Sequence, residues 1–396
     1  MLLCSGFLIS SDVSIKNIAY LCEPKDSTWL LASLGLILTS VIWARKVSSA
    51  DRSVFWALCV LIGYLFALVF SAYSGRDGGN GQQCLRAFLA AGGILLFSSF
   101  VQPNLLMPVI AGCCALICLR SLVEYICGVG VLQSGSVLRV SGKLVTTSEL
   151  SFISCVLVPV SLSYCLQGSA VVSRRLFWIA VLIVTGLTLF ATLSRGAGLG
   201  ALGGSLYVTR TYNRWLRLGV LIAAISVVAA IDVVRQPDQV SAKSVAGSDF
   251  GRHEQMRGGV RSFQHQPWIG VGVGHVEITQ RVMGKHGITL QPSRTTMNAY
   301  LFFLVEGGIL GVALLYVASR GLGAAIRTMP PKHREYMGGA LSALAILSCF
   351  DVPFLVLDSD LGTCLLVGLL AVPLAFAAER AKCRSKMHDS SDMTQL

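Results

Sequence analysis

The chain has 396 residues, 54% of them hydrophobic and only 13% charged, with a formal net charge of +12. Soluble domains carry about 25% charged residues, so a soluble enzyme, a nucleic-acid-binding domain and a secreted disulfide scaffold are excluded. Mean hydropathy is +0.69, and the apolar residues come in blocks long enough to cross a bilayer as helices. The expected fold is all-α: a polytopic transmembrane helical bundle in one domain, 1–396.

The opening Met1-Leu2-Leu3-Cys4 has no basic stretch and no small-residue cleavage pattern, so no removable signal peptide is expected. The segment 2–21 is too broken to read as a regular span and could add a short or re-entrant helix. Eleven spans follow, at about 28–44, 53–73, 85–100, 104–126, 148–166, 176–193, 196–208, 215–234, 297–319, 336–357 and 360–378, giving 11–12 in all. Most of the 13 cysteines lie inside these blocks, where cysteine behaves as a small hydrophobe. No CxxC pair or Cys/His ligand spacing occurs, and no metal or cofactor is expected.

Basic residues mark the cytoplasmic ends of spans. They cluster at Arg45, Lys46 and Arg52, at Arg174 and Arg175, at Arg210, Arg214 and Arg217, at Arg320, Arg327, Lys332 and Arg334, and in the tail 380–396. All five clusters share one parity, so the tail is expected in the cytoplasm and the long polar segment 235–296 outside. That outer loop holds Arg235, Lys243, Arg252, Arg257, Arg261, Arg281, Lys285 and Arg294 against four acids. Long loops translocate largely regardless of charge; the other reading is a face that binds an anion.

Three arginines fall at outer boundaries by this parity. Arg139 precedes the span at 148–166, Arg195 sits in the tight turn of Leu193-Ser194-Arg195-Gly196-Ala197, and Arg252 opens Gly-Arg-His-Glu in the loop. A planar five-donor guanidinium suits bidentate phosphate binding. A single interfacial arginine is better explained by snorkelling to headgroups, whereas three on the same face favour a binding role. Gly196, Gly200 and Gly204 recur at helical spacing, a small-residue face that lets a span pack closely and press the arginine turn against its neighbours. The run Pro267-Trp268-Ile269-Gly270-Val271-Gly272-Val273-Gly274-His275 lacks the strand–helix context of a nucleotide loop. It reads instead as a turn that sets a loop helix against the membrane. His253, His265, His275 and His286 share this loop at spacings that match no ligand pair.

Taken in order, Arg139-x-Ser-Gly, Leu-Ser-Arg-Gly-Ala, Gly251-Arg252, Pro267-x-x-Gly270-x-Gly272 and Asn298-Ala299-Tyr300-Leu301 with Glu306-Gly307-Gly308-x-x-Gly311 resemble the O-antigen ligase and Wzy-type polymerase superfamily of bacterial polysaccharide assembly. The resemblance runs from about residue 135 to 315. It implies a GT-C-like, metal-independent, inverting glycosyltransferase whose donor is a glycan on undecaprenyl pyrophosphate, used at the periplasmic face of the inner membrane. It also implies that Arg139, Arg195 and Arg252 contact the lipid pyrophosphate, where fixed cations stabilise the leaving group. Arg257, from the same basic loop, and Asn298 complete the expected substrate-binding set.

One departure matters. The ligases carry His-Asn or a close variant where this chain has Met297-Asn298. Methionine cannot accept a proton, so His286, His275 or Glu254 is expected to orient or deprotonate the acceptor hydroxyl. This favours a polymerase, which joins lipid-linked repeat units, over a ligase, which transfers the glycan to lipid A–core. A polysaccharide transporter or flippase is the third reading, with Asp351 and Glu306 as its candidate midplane ionisable residues. The expected partners are the undecaprenyl-pyrophosphate-linked glycan, an acceptor glycan or lipid, the bilayer and a chain-length regulator, with no nucleic acid.

Overall fold

The computed structural model describes residues 103–129, 131–134, 137–141, 146–167, 172–235, 239–271, 278–284, 287–293 and 298–350, with three further helical positions at 372, 373 and 376. The spans expected at 28–44, 53–73 and 85–100, the segment 2–21, the rest of 360–378 and the tail lie outside the described residues.

Eight helices follow one another within these limits. They are α1 (Pro103–Ile126), α2 (Thr147–Leu166), α3 (Val172–Thr192), α4 (Arg195–Thr209), α5 (Arg214–Arg235), α6 (Gln239–His265), α7 (Ala299–Thr328) and α8 (Pro331–Leu347). α1, α2 and α3 are long and apolar enough to cross a membrane. α4, α5 and α7 also fall where spans were expected. α8 ends at Leu347, ahead of the expected boundary, because the chain leaves the helix through turns at 348–350.

α2 is the hub. Most of it is buried, and α3, α4 and α8 all pack on it. Its N-terminus is fixed by a capping box: Thr146 accepts from the Glu149 amide, while the Glu149 carboxylate accepts from the Thr146 amide at 2.6 Å. Two orphan amides are satisfied in this way, which explains a buried acid at the start of an apolar helix. Polar residues inside the spans turn inward on their own backbones. Thr185 donates to the Val181 carbonyl, Thr188 to Val184 and Thr209 to Ser205, at 2.8–2.9 Å. Each hydroxyl thereby loses its need for a partner elsewhere in a region without water.

The seam where α4 meets α2 and α8 is made of small residues. A Cβ on Gly200 would stand 2.6 Å from the Cys155 sulfur and 2.8 Å from the Ala343 carbonyl oxygen. One on Gly204 would stand 2.6 Å from the Gly339 carbonyl oxygen and 2.9 Å from Pro159. Removing side-chain bulk lets the backbones approach, which substitutes for a hydrophobic driving force inside lipid. The small-residue face expected from the sequence is this seam.

Two antiparallel hairpins lie between helices: β1 (Val131–Ser134) with β2 (Val137–Val140), and β3 (Ile278–Gly284) with β4 (Gly287–Ser293). In the first, Leu132 pairs with Arg139; in the second, Arg281 pairs with Leu290. The all-α expectation holds for the bundle. The hairpins were not anticipated, because β-branched runs of four to seven residues carry little periodic signal beside apolar blocks.

Candidate active site

Arg139 is set by β2, which packs on α1 and α3. The next residue, Val140, is fully buried, and its carbonyl accepts from the Thr147 hydroxyl at 2.9 Å, tying the hairpin to the start of α2. Arg139 is half-buried, and its Nε meets no hydrogen-bond partner in the protein. Desolvation, and then the charge of Arg252, push its pKa below the usual guanidinium value. An arginine remains protonated under such pressure. Two cations that feel one another, one with a buried N–H that has no partner, are suited to an anion between them.

Arg252, on the part of α6 that is largely exposed from this residue on, acts on Arg139 electrostatically across a long sequence separation. The neighbouring Glu254 does not pair with Arg252; its carboxylate lies 3.6 Å from Arg257, one turn along the same helix. Gln255 and Gly259 form part of the buried face of α6, and Phe263 joins Ala299, Phe302, Val305 and Val271 in a small apolar cluster against α7.

Arg195 opens α4 at the same end of the bundle. Ser194 is the N-cap, accepting from the Ala197 amide at 3.4 Å, and Leu193 before it takes a φ of 52°. A left-handed leucine is strained, and here it lets two residues reverse the chain between α3 and α4. Arg195 is exposed, while the next residue, Gly196, is close enough to α8's end that a Cβ would meet Phe350 at 2.8 Å. The arginine therefore stands on a rigid base.

Asn298 serves as a cap and a tie. Its Oδ1 accepts from the Leu301 amide at 3.0 Å, and its Nδ2 donates to the Cys349 carbonyl at 3.0 Å. The Ala299 amide donates to Ser348, and the Tyr300 hydroxyl to Ala345, each at 2.9 Å. The start of α7 is thus fastened to the end of α8 beside Arg195. His275, His286 and Met297 lie outside the described residues.

The sequence did not disclose what the Pro-Trp-Ile-Gly segment does. α7 is broken at Gly308, where φ is 60° and ψ −162°, a region open essentially to glycine alone. The 267–270 turn docks on this break. The Ile309 amide donates to the Pro267 carbonyl at 2.9 Å, the Leu310 amide to Trp268 at 3.1 Å, and the Val271 amide to Val305 at 2.9 Å. Broken helices expose amides and carbonyls that membrane cannot satisfy; the turn satisfies them. Gly270, at φ 74°, approaches so closely that a Cβ would collide with the Glu306 carbonyl. Glu306 itself is almost fully buried at the break. Trp268 and Ile269 are left more than 70% exposed, an apolar tip of the kind that anchors at a membrane surface. The signal was present in Pro267-x-x-Gly270 and Glu306-Gly307-Gly308, but nothing local says that one segment seals the other.

Residues 179–316 match the O-antigen ligase family. The matched stretch contains Arg195, Arg252, the 267–270 turn and the break in α7; Arg139 precedes it. No curated protein matches the chain. The match bears out the resemblance carried by the motifs. Together with the apolar helices it marks a membrane protein of O-antigen and polysaccharide biosynthesis.

Proposed function

We propose that the protein is a polysaccharide polymerase: a glycosyltransferase that joins repeat units carried on undecaprenyl pyrophosphate at the periplasmic face of the inner membrane. The observation that carries this reading is the half-buried Arg139 with an unpartnered Nε, within electrostatic reach of Arg252, beside the start of α2. In the reaction an acceptor sugar hydroxyl attacks the anomeric carbon of the donor glycan. The bond from that carbon to the pyrophosphate oxygen breaks, and the electron pair leaves with the pyrophosphate. Charge grows on the leaving group as the bond lengthens, and guanidinium groups already in place stabilise it without reorganising. The hydroxyl proton passes to a base: Glu254, on the face of α6 that carries Arg257, or His286 or His275.

Asn298 contributes by holding the start of α7 in register with α8, since both polar atoms of its side chain have backbone partners. Arg257 acts from a different face of α6 than Arg252.

A ligase is the second reading, favoured by the description of the matched family. The two separate on deletion of the gene in its native host, followed by analysis of surface glycan and lipid-linked intermediates. A polymerase deletion leaves single repeats on the acceptor. A ligase deletion leaves polymer on the lipid carrier, and a transporter deletion removes the periplasmic intermediate. Either of the last two outcomes would overturn the polymerase reading.

A further inference from the structure

α6 carries cations on two faces. At 3.6 residues per turn, Arg257 stands about 140° and Arg261 about 180° around the helix from Arg252. His253, Met256, Arg257, Val260 and Arg261 line a groove of about 570 Å³ whose opposite wall is Leu301, in the first turn of α7. Along an otherwise polar helix, Met256 and Val260 are left 42% and 44% exposed there. Glu254, the acid on this stretch of α6 among the described residues, forms a long pair with Arg257, whose side chain is 63% exposed. Such a pair is weak, and two arginines against one carboxylate leave the groove positive. The helix ends at His265, three residues before the exposed Trp268 and Ile269 tip, and Leu301 belongs to an apolar helix. Positive rim, apolar floor and a wall from an apolar helix together match one chemistry, an anionic headgroup on a hydrocarbon chain.

We propose that this groove holds the pyrophosphate end of a second lipid-linked glycan, the acceptor, while Arg139 and Arg252 hold that of the donor. The inference rests on the polymerase reading and deepens it. Joining two glycans that are both on lipid carriers requires two multiply charged headgroups side by side, which repel one another. A helix about 10 Å across with arginines on both faces separates and screens them. It also keeps the acceptor hydroxyl and the donor anomeric carbon on a common side. Arg257 and Arg261 are then acceptor-binding residues, and His253 lies at the same headgroup.

The test is binding stoichiometry of undecaprenyl pyrophosphate to the full-length protein in phosphatidylcholine nanodiscs, read by native mass spectrometry. Two bound molecules are expected. The double variant Arg257→Gln/Arg261→Gln should lose one with at least tenfold weaker binding, and Arg139→Gln/Arg252→Gln should lose the other. Arg257→Lys/Arg261→Lys, which keeps the charge, should retain two molecules with reduced affinity and checks that any loss is not misfolding. A single bound molecule, removed only by the Arg139/Arg252 variant, would overturn the groove and leave the donor site standing. Displacement of the second molecule by equimolar phosphatidylglycerol would also overturn it, since the groove would then be a general anionic-lipid surface. No binding at all would defeat the donor reading together with this inference.

Discussion

α4 and α6 each deliver an arginine to the same end of the bundle, by opposite means. α4 is buried along Gly200 and Gly204, wedged between α2 and α8, so Arg195 is fixed by packing within the membrane domain. From Arg252 on, α6 is largely exposed. It is held by a short buried strip, by contact with β3 and by the 267–270 turn that follows it and plugs the break in α7. One arginine is placed by the core, the other by a docked loop. The contrast teaches that the fold and the site can be damaged separately, and it orders what substitution should do.

The largest effect is expected at the α4 seam. Gly204→Leu puts a branched side chain where a single Cβ already meets backbone at 2.6 Å. Overpacking of this kind costs about 1–3 kcal/mol where neighbours can move, and here they are backbone and proline. The protein should fail to accumulate in membranes, as measured by its level against wild type; normal accumulation would show that the seam is not rigid.

Next come the arginines themselves. Arg195→Ala and Arg252→Ala should each lower the rate of glycan elongation about a hundredfold, roughly 3 kcal/mol of transition-state stabilisation, with membrane levels unchanged. Lysine should rescue poorly, since an ammonium lacks the bidentate fork. Full elongation in either alanine variant removes that arginine from the site.

Gly308→Ala separates the two supports. Forcing alanine into this backbone region costs about 1–3 kcal/mol, concentrated at the dock. Hydrogen exchange should accelerate across α6 and residues 266–271 while α4 stays protected. Equal acceleration in both helices would mean that they form one cooperative unit.

The smallest effect belongs to Asn298→Ala. Loss of an N-cap costs about 1 kcal/mol, so a drop of a few degrees in thermal midpoint is expected, with elongation reduced less than tenfold. A loss as deep as that of Arg252→Ala would instead mean that Asn298 touches substrate.

Much of this was legible along the chain. Apolar block length marked α1 to α3, because bilayer thickness is a local ruler. The Gly196, Gly200 and Gly204 spacing announced a close-packed face, because helical periodicity is local too. Ser194 and Asn298 each sit one residue ahead of a helix they cap. The hairpins and the break in α7 were not legible. Their short strands carry weak patterns, and the Gly-Gly pair in an apolar run reads equally well as a packing site.

By itself the sequence determined a membrane bundle, the order of its motifs and an arginine at the start of α4, since these follow from hydropathy, helical period and charge placement within a few residues. Arg139 in β2 and Arg252 within α6 stand away from span ends. Only the tertiary structure decided that Arg139 and Arg252 come near enough to feel one another's charge. The same holds for the amides freed by Gly308, which find partners in the Pro267 and Trp268 carbonyls. Each of these is a contact between segments distant in the chain, set by how α2, α4, α7 and α8 fill one another's space, and no local pattern encodes that distance.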